Sequence, residues 1–266
     1  MTDEPIERRD EPMLRRVESI GEPDEPTEGP GESIEPVEVV EESGEPIEPV
    51  EEPVERIGLP EEGSSAWTVL RTRASRLLRD GELLILPAEG LYGLHATGEA
   101  GRRRLIAAKG DRTGKPFIVL LADPADVQRY TSDLPDELID WIALVWPAPL
   151  TLVLPASPLL PAALVREGQI ALRCPDSPWL RSVASACDEP LLSTSANRAG
   201  AAPPAAVSDL DPVVRRAAAL IVDGGRLGGQ GSTVARLSRT GGWTVLREGL
   251  WQGDGPPIGS SDDPSV

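Results

Sequence analysis

Residues 83–121, LLILPAEGLYGLHATGEAGRRRLIAAKGDRTGKPFIVLL, constrain the fold of this chain more than any other stretch. Residues 83–86 are a short apolar run stopped by Pro87, and residues 101–109 put Leu105, Ile106 and Ala108 on one side and three arginines on the other. Residues 117–121 are a second apolar run, short enough for a buried strand. A strand, a turn, a helix and a second strand in so little chain is the grammar of an α/β protein. Between these elements Glu89, Tyr92, Lys109, Arg112 and Lys115 cluster around glycines at element ends, where α/β proteins keep their binding chemistry. The stretch reads as a site for a phosphate-bearing ligand.

The chain on either side keeps alternating. A helix over 66–79 turns Val69, Leu70, Leu77 and Leu78 inward and ends at Asp80-Gly81. Helices are predicted over 124–130 and 135–145, strands over 151–154 and 169–173, and Ser177-Pro178 opens a helix to about residue 187. A short strand at 191–193, a helix opened by Asp211-Pro212 and a strand at 220–222 follow. Residues 233–237 and 243–247, separated by a glycine-rich turn, make a hairpin, and hairpins are antiparallel. The expected fold is therefore α/β, an open twisted mixed sheet with flanking helices and a concave ligand cleft. Residues 141–165 carry no charge, a length that would suit a membrane span, but prolines at 147, 149, 155, 158 and 161 exclude a continuous helix.

Charge divides the chain. The first 65 residues hold 22 acidic and 5 basic side chains, a net −17 of the whole chain's −18. They also hold ten prolines and repeat Glu-Pro-(Ile/Val)-Glu from Glu4, Glu35, Glu45, Glu48 and Glu52. Such a segment buries too little apolar surface to offset about 1–2 kcal/mol of ordering entropy per residue. The expected organisation is a disordered acidic tail over 1–63, one domain over 64–252 and a disordered end over 253–266. The charged N-terminus lacks the apolar core of a signal peptide. Cys174 and Cys187 read as reduced thiols and His95 as structural, with no metal-ligand spacing among them. A cytoplasmic protein without membrane partners is expected.

Two further stretches carry polar chemistry. Residues 194–200, TSANRAG, follow a strand with two hydroxyls and an amide, a composition that also caps helices and makes turns. Residues 223–232, DGGRLGGQGS, look like a P-loop, but Gln230 stands where the phosphate lysine belongs and the sequence beyond it is strand-like. A glycine-rich loop can still present backbone N–H groups to an anion.

Taken together, these motifs resemble the YrdC-like threonylcarbamoyl-AMP synthases in their short, single-domain form. PAEGLYGL at 87–94 is similar to the family's P-T-E-T-x-Y-G-L, and Lys109 stands at the start of K-x-R. PAPLT at 147–151 resembles P-G-P-x-T, Arg173-Cys174-Pro175 resembles R-x-P, Ser195-Ala196-Asn197 matches S-x-N, Ser232-Thr233-Val234 matches S-T-V, and LREG at 246–249 resembles L-R-P-G. The order is the family's order. Ala88 and Gly90 replace both signature threonines, and Asp111 takes the K-x-R arginine position with Arg112 beside it.

The resemblance implies a reaction that joins L-threonine, bicarbonate and ATP into threonylcarbamoyl-AMP with release of pyrophosphate, for tRNA modification. It implies catalytic roles for Lys109 and Arg112, and substrate contacts from Glu89, Tyr92, Lys115, Thr151, Arg173, Thr194, Ser195, Asn197, Ser232 and Arg247. Magnesium is implied by the triphosphate and by no protein motif. RNA or tRNA-modification proteins are the implied partners. The departures leave open an alternative, a paralogue that binds nucleotide or double-stranded RNA without synthase activity.

Overall fold

In a computed structural model, residues 54–110 and 116–256 are described. Five helices can be followed along them: α1 (Ser65–Arg79), α2 (Gly98–Lys109), α3 (Asp136–Val145), α4 (Pro178–Ser185) and α5 (Pro212–Arg216). The strands are β1 (Arg56–Gly58), β2 (Leu83–Pro87), β3 (Tyr92–Ala96), β4 (Ile118–Leu120), β5 (Leu150–Pro155), β6 (Gln169–Arg173), β7 (Leu191–Ser195), β8 (Ala218–Asp223), β9 (Thr233–Leu237) and β10 (Trp243–Arg247). They form one open mixed sheet in the order β1-β8-β2-β3-β7-β4-β6-β5-β9-β10. The parallel neighbours are β1/β8, β8/β2, β4/β6 and β5/β9, and the other pairs, the β9/β10 hairpin among them, are antiparallel.

Helices start where the side chains that satisfy their first N–H groups are placed. Ser64 accepts from Trp67 N at 3.1 Å, Ser177 from Leu180 N at 3.3 Å, and Asp211 from Val213 N at 2.8 Å with Pro212 in the first turn. Gly81, at φ +80°, follows the C-terminus of α1 in the backbone region that favours glycine.

Each face of the sheet is buried differently. On one side α2, α3 and α5 cover Leu83, Ile85, Leu94, Val119, Leu152 and Leu172. On the other, α1 and α4 cover Leu84, Leu86, Leu120, Leu191 and Leu220, with Trp67 and Trp179 packed edge to face at 5.0 Å. These two helices stop short. Beyond them the same face continues through the cross-strand neighbours Ser193, Ile118, Ala171 and Val153, and that stretch borders a cleft.

Several sequence expectations change. The turn expected between residue 87 and the helix contains a full strand, β3, whose Gly93 and His95 gave no strand signal. Gly93 is required there because the His95 ring fills the space a Cβ would need, with Cε1 2.5 Å from that position. Residues before 64 join the sheet: Arg56–Gly58 pair with β8, Arg56 donates to Asp223, and Glu55 accepts from Arg73. Three residues are too few for a periodicity to be read. Val69, at 68% exposure, and Ile106, at 38%, face outward while Leu70, Leu78, Leu105 and Ala108 are buried. Residues 124–129 form a 3₁₀ turn where a helix was expected. The uncharged, proline-rich stretch resolves into the end of α3, β5 and loops, and no helix among the described residues is long and apolar enough to cross a membrane. Residues 1–53 of the acidic tail expected over 1–63, and Asp111, Arg112 and Lys115, lie outside the described residues.

Candidate active site

The cleft encloses about 740 Å³. Its floor is apolar and small, from Ile118, Ala171, Val153 and Val234, and its walls are polar, from the β2–β3 turn, the end of β7, the 231–232 loop and β10. Glu89, Tyr92, Lys109, Thr151, Arg173, Thr194, Ser195, Asn197, Ser232 and Arg247 all border it, although they are spread over 159 positions of sequence. Arg112 and Lys115 are outside the described residues, on the segment that joins α2 to β4.

Three cations line the walls. Lys109 ends α2 and is 4% exposed; its Nζ donates to Ser195 O at 2.7 Å, to Asn197 Oδ1 at 3.0 Å and to Asn197 O. Its charge thus sits in the wall while its N–H groups hold the end of β7 in place. Arg173 ends β6 at 6% exposure, with Nη1 3.5 Å from Glu89 Oε2 and a buried Nε that has no partner. A guanidinium bordering the cleft can pair with a ligand oxyanion. Arg247 donates from Nη2 to Ser232 O at 2.8 Å, and burial, then the nearby Arg173 charge, push its affinity for its proton down.

The polar residues of the cleft are tied to one another and to the backbone. Thr151 Oγ1 and Ser232 Oγ, 2.9 Å apart, bridge β5 and the glycine-rich loop at the cleft edge. Asn197 Oδ1 accepts from Lys109 and Ser195 Oγ, while Nδ2 donates to Arg198 O at 3.0 Å and Ala201 O at 2.5 Å. Its amide thus folds the 195–201 loop, and the residue borders the cleft. Tyr92 borders the cleft and is also tied to its wall. Its hydroxyl lies 2.9 Å from Asp223 Oδ1 and 2.7 Å from Gly225 O and accepts from Gly224 N, and burial first raises its pKa to about 12. It anchors the start of the 224–231 loop. Glu89 Oε1 accepts from Asp176 N at 2.8 Å, tying the β2–β3 turn to the approach to α4.

Close backbone approaches complete the wall, and sequence reasoning missed them. A Cβ on Gly90 would come within 2.0 Å of Gln230 O, and one on Gly249 within 2.3 Å of Ser232 C. Gly229 N donates to Gly90 O at 2.8 Å and Leu250 N to Gly231 O at 2.9 Å. The segment carrying Ser232 is therefore gripped between two glycines. Gly90 also explains one departure from the signature, since a threonine there has no room. Ser193 was missed too, although it borders the cleft floor; its neighbours in sequence gave no reason to separate it from the adjacent Thr194-Ser195 pair.

A cationic cleft at strand ends over an apolar sheet floor defines an α/β protein built to hold an anionic ligand with a flat or aliphatic body. The comparisons with known proteins show its family. Residues 76–249 match the family model of the Sua5/YciO/YrdC domain, described as "Telomere recombination", and the chain belongs to this family. It is 32% identical over 167 residues to a threonylcarbamoyl-AMP synthase of Bacillus subtilis, covering 61% of this chain and 48% of that one. It is 33% identical over 181 residues to the threonylcarbamoyl-AMP synthase of Vibrio cholerae, covering 65% and 93%. The fold superposes on P. abyssi Sua5 complexed with L-threonine with a TM-score of 0.64 at 28% identity, covering 73% of this chain and 57% of that one. The chain thus spans about half of the Bacillus relative and nearly all of the Vibrio one.

Proposed function

We propose that this chain is an L-threonylcarbamoyladenylate synthase, joining L-threonine, bicarbonate or CO2, and ATP into threonylcarbamoyl-AMP with release of pyrophosphate. The observation that carries the reading is the convergence of Lys109, Arg173 and Arg247 on one cleft whose polar lining comes from the family's motifs in their order. The threonine amine captures CO2 as a carbamate, and a carbamate oxygen then attacks the α-phosphorus as pyrophosphate leaves. Both partners are anions, so the protein's task is to neutralise and align them, with fixed cations and oriented donors in place of a nucleophilic side chain. Arg173, a guanidinium bordering the cleft, suits the threonine carboxylate. Arg247, Ser232 and Thr151 suit the nucleotide, and the small apolar floor suits a base or an aliphatic side chain. Lys109 lends charge to the site and holds the β7 end. Arg112 and Lys115 are proposed for the triphosphate on sequence grounds. Magnesium would accompany the triphosphate as its counter-ion. A role in tRNA modification and contacts with RNA or modification proteins follow from the same reading.

The test is pyrophosphate release from ATP by the purified chain. Release that requires both L-threonine and bicarbonate is the expected result. Tight ATP binding without threonine-dependent release would reassign the chain to a nucleotide-binding paralogue.

A further inference from the structure

Three of the chain's six tryptophans meet outside the cleft. Trp141 on α3, Trp243 at the start of β10 and Trp251 beyond its end pack edge to face, with ring centroids 5.7 to 6.5 Å apart. Aromatic edges and faces attract, so such a cluster fixes the mutual angles of its rings as well as burying them. Two parts of the cleft wall are fastened to it. Arg247 is at the opposite end of β10 from Trp243, five residues in all. Ser232 is held through the segment that leads to Trp251: Leu250 N donates to Gly231 O at 2.9 Å, and Thr233 Oγ1 donates to Trp251 O at 2.7 Å. These bonds grip the residues on both sides of Ser232. Gly249 lies so close behind it that a Cβ there would stand 2.3 Å from the Ser232 carbonyl carbon, and Arg247 Nη2 reaches Ser232 O at 2.8 Å. Backbones packed this closely move together. Trp251 itself does not border the cleft.

We propose that Trp251 is a positioning residue for the nucleotide end of the cleft: its ring, packed on Trp141 and Trp243, fixes the backbone that holds Ser232 in register with Arg247. The inference rests on the synthase reading, in which Ser232, Thr151 and Arg247 take the nucleotide. The amino-acid end has separate supports. Arg173 O accepts from Leu121 N at 2.9 Å, and its guanidinium lies 3.5 Å from Glu89, neither of which touches the tryptophan cluster. A loosened cluster should therefore weaken one ligand and spare the other.

Titration calorimetry on the full chain, with ATP and L-threonine as separate probes, tests this. Trp251→Ala should raise the Kd for ATP about fivefold, the scale of a residue that acts through its neighbours, and leave the Kd for L-threonine unchanged. Trp251→Phe, which keeps a ring against Trp141 and Trp243, should recover most of the ATP affinity. Thr233→Val removes the bond to the Trp251 carbonyl without touching the ring; it should raise the ATP Kd about twofold and covers the case in which the alanine variant does not fold. Unchanged ATP affinity in these variants would overturn the inference. So would an equal loss for both probes that follows a fall in melting temperature, since Trp251 would then only stabilise the fold, and a loss that phenylalanine does not recover would overturn the role of the ring. A wild-type chain that binds neither probe overturns the reading of the cleft and this inference with it.

Discussion

Single atoms decide much of this site. A methyl group on Gly90 would strike the Gln230 carbonyl at 2.0 Å, so Gly90→Ala must displace the backbone that carries Ser232. Overpacking of this kind costs about 1–3 kcal/mol. The variant should show a lower urea midpoint together with weaker ATP binding, measured on the same sample, and parent-like values of both would mean that the loop moves aside freely. His95 sets a pH dependence. Burial pushes its folded pKa down to about 3, below the ordinary 6.5 of the unfolded chain, so the unfolded state takes up a proton first as pH falls. The resulting stability is complete above pH 6.5 and is lost toward pH 3, with a slope of up to about 1.4 kcal/mol per pH unit from this one group. Glu99 and Asp223, whose pKa values are lowered mainly by hydrogen bonds from Arg102 and Arg56 respectively, add their own losses at the acid end. Denaturant titrations between pH 4 and 7 should therefore show a flatter profile for His95→Gln, and an unchanged slope would place the proton uptake elsewhere.

Among the elements, β1 tests where the domain begins. It supplies Ile57 to the core under α1, pairs in parallel with β8, and lies beside the Glu55–Arg73 and Arg56–Asp223 ion pairs. The ion pairs are exposed and contribute little; the strand pairing and the packing of Ile57 contribute more. A chain starting at Ser64 should therefore lose about 1–2 kcal/mol, on the order of 4 °C in melting temperature for a domain of this size. A chain starting at Val54 should melt like the full protein. Equal melting of all three would return the boundary to residue 64. β3 and β7 carry the cleft between them, and their pairing of Gly93 with Ser195 and His95 with Ser193 aligns two segments that the sequence keeps about a hundred residues apart.

For the molecule as a whole, folding silences both thiols. Burial first raises Cys174 to about 12 and Cys187 to about 11, so neither offers much thiolate at neutral pH. A thiol reagent at pH 7.5 should react slowly with the native chain and rapidly once urea unfolds it, and fast labelling of the native protein would contradict the packing around α4. The sequence by itself determined the alternation of helices and strands, the helix starts at Ser177 and Asp211, and the cationic character of the site, because propensity, capping and charge are local properties. It also determined the family, because ordered motifs survive in sequence whatever their distance in space. Only the tertiary structure decided that β3 is a strand, that Tyr92 and Asn197 tie the cleft wall together, that Gly90 and Gly249 grip the Ser232 segment, and that Ser193 stands beside a buried imidazole. Each of these depends on which atoms meet across the sheet, and such meetings are set by register and close packing between segments far apart in the chain.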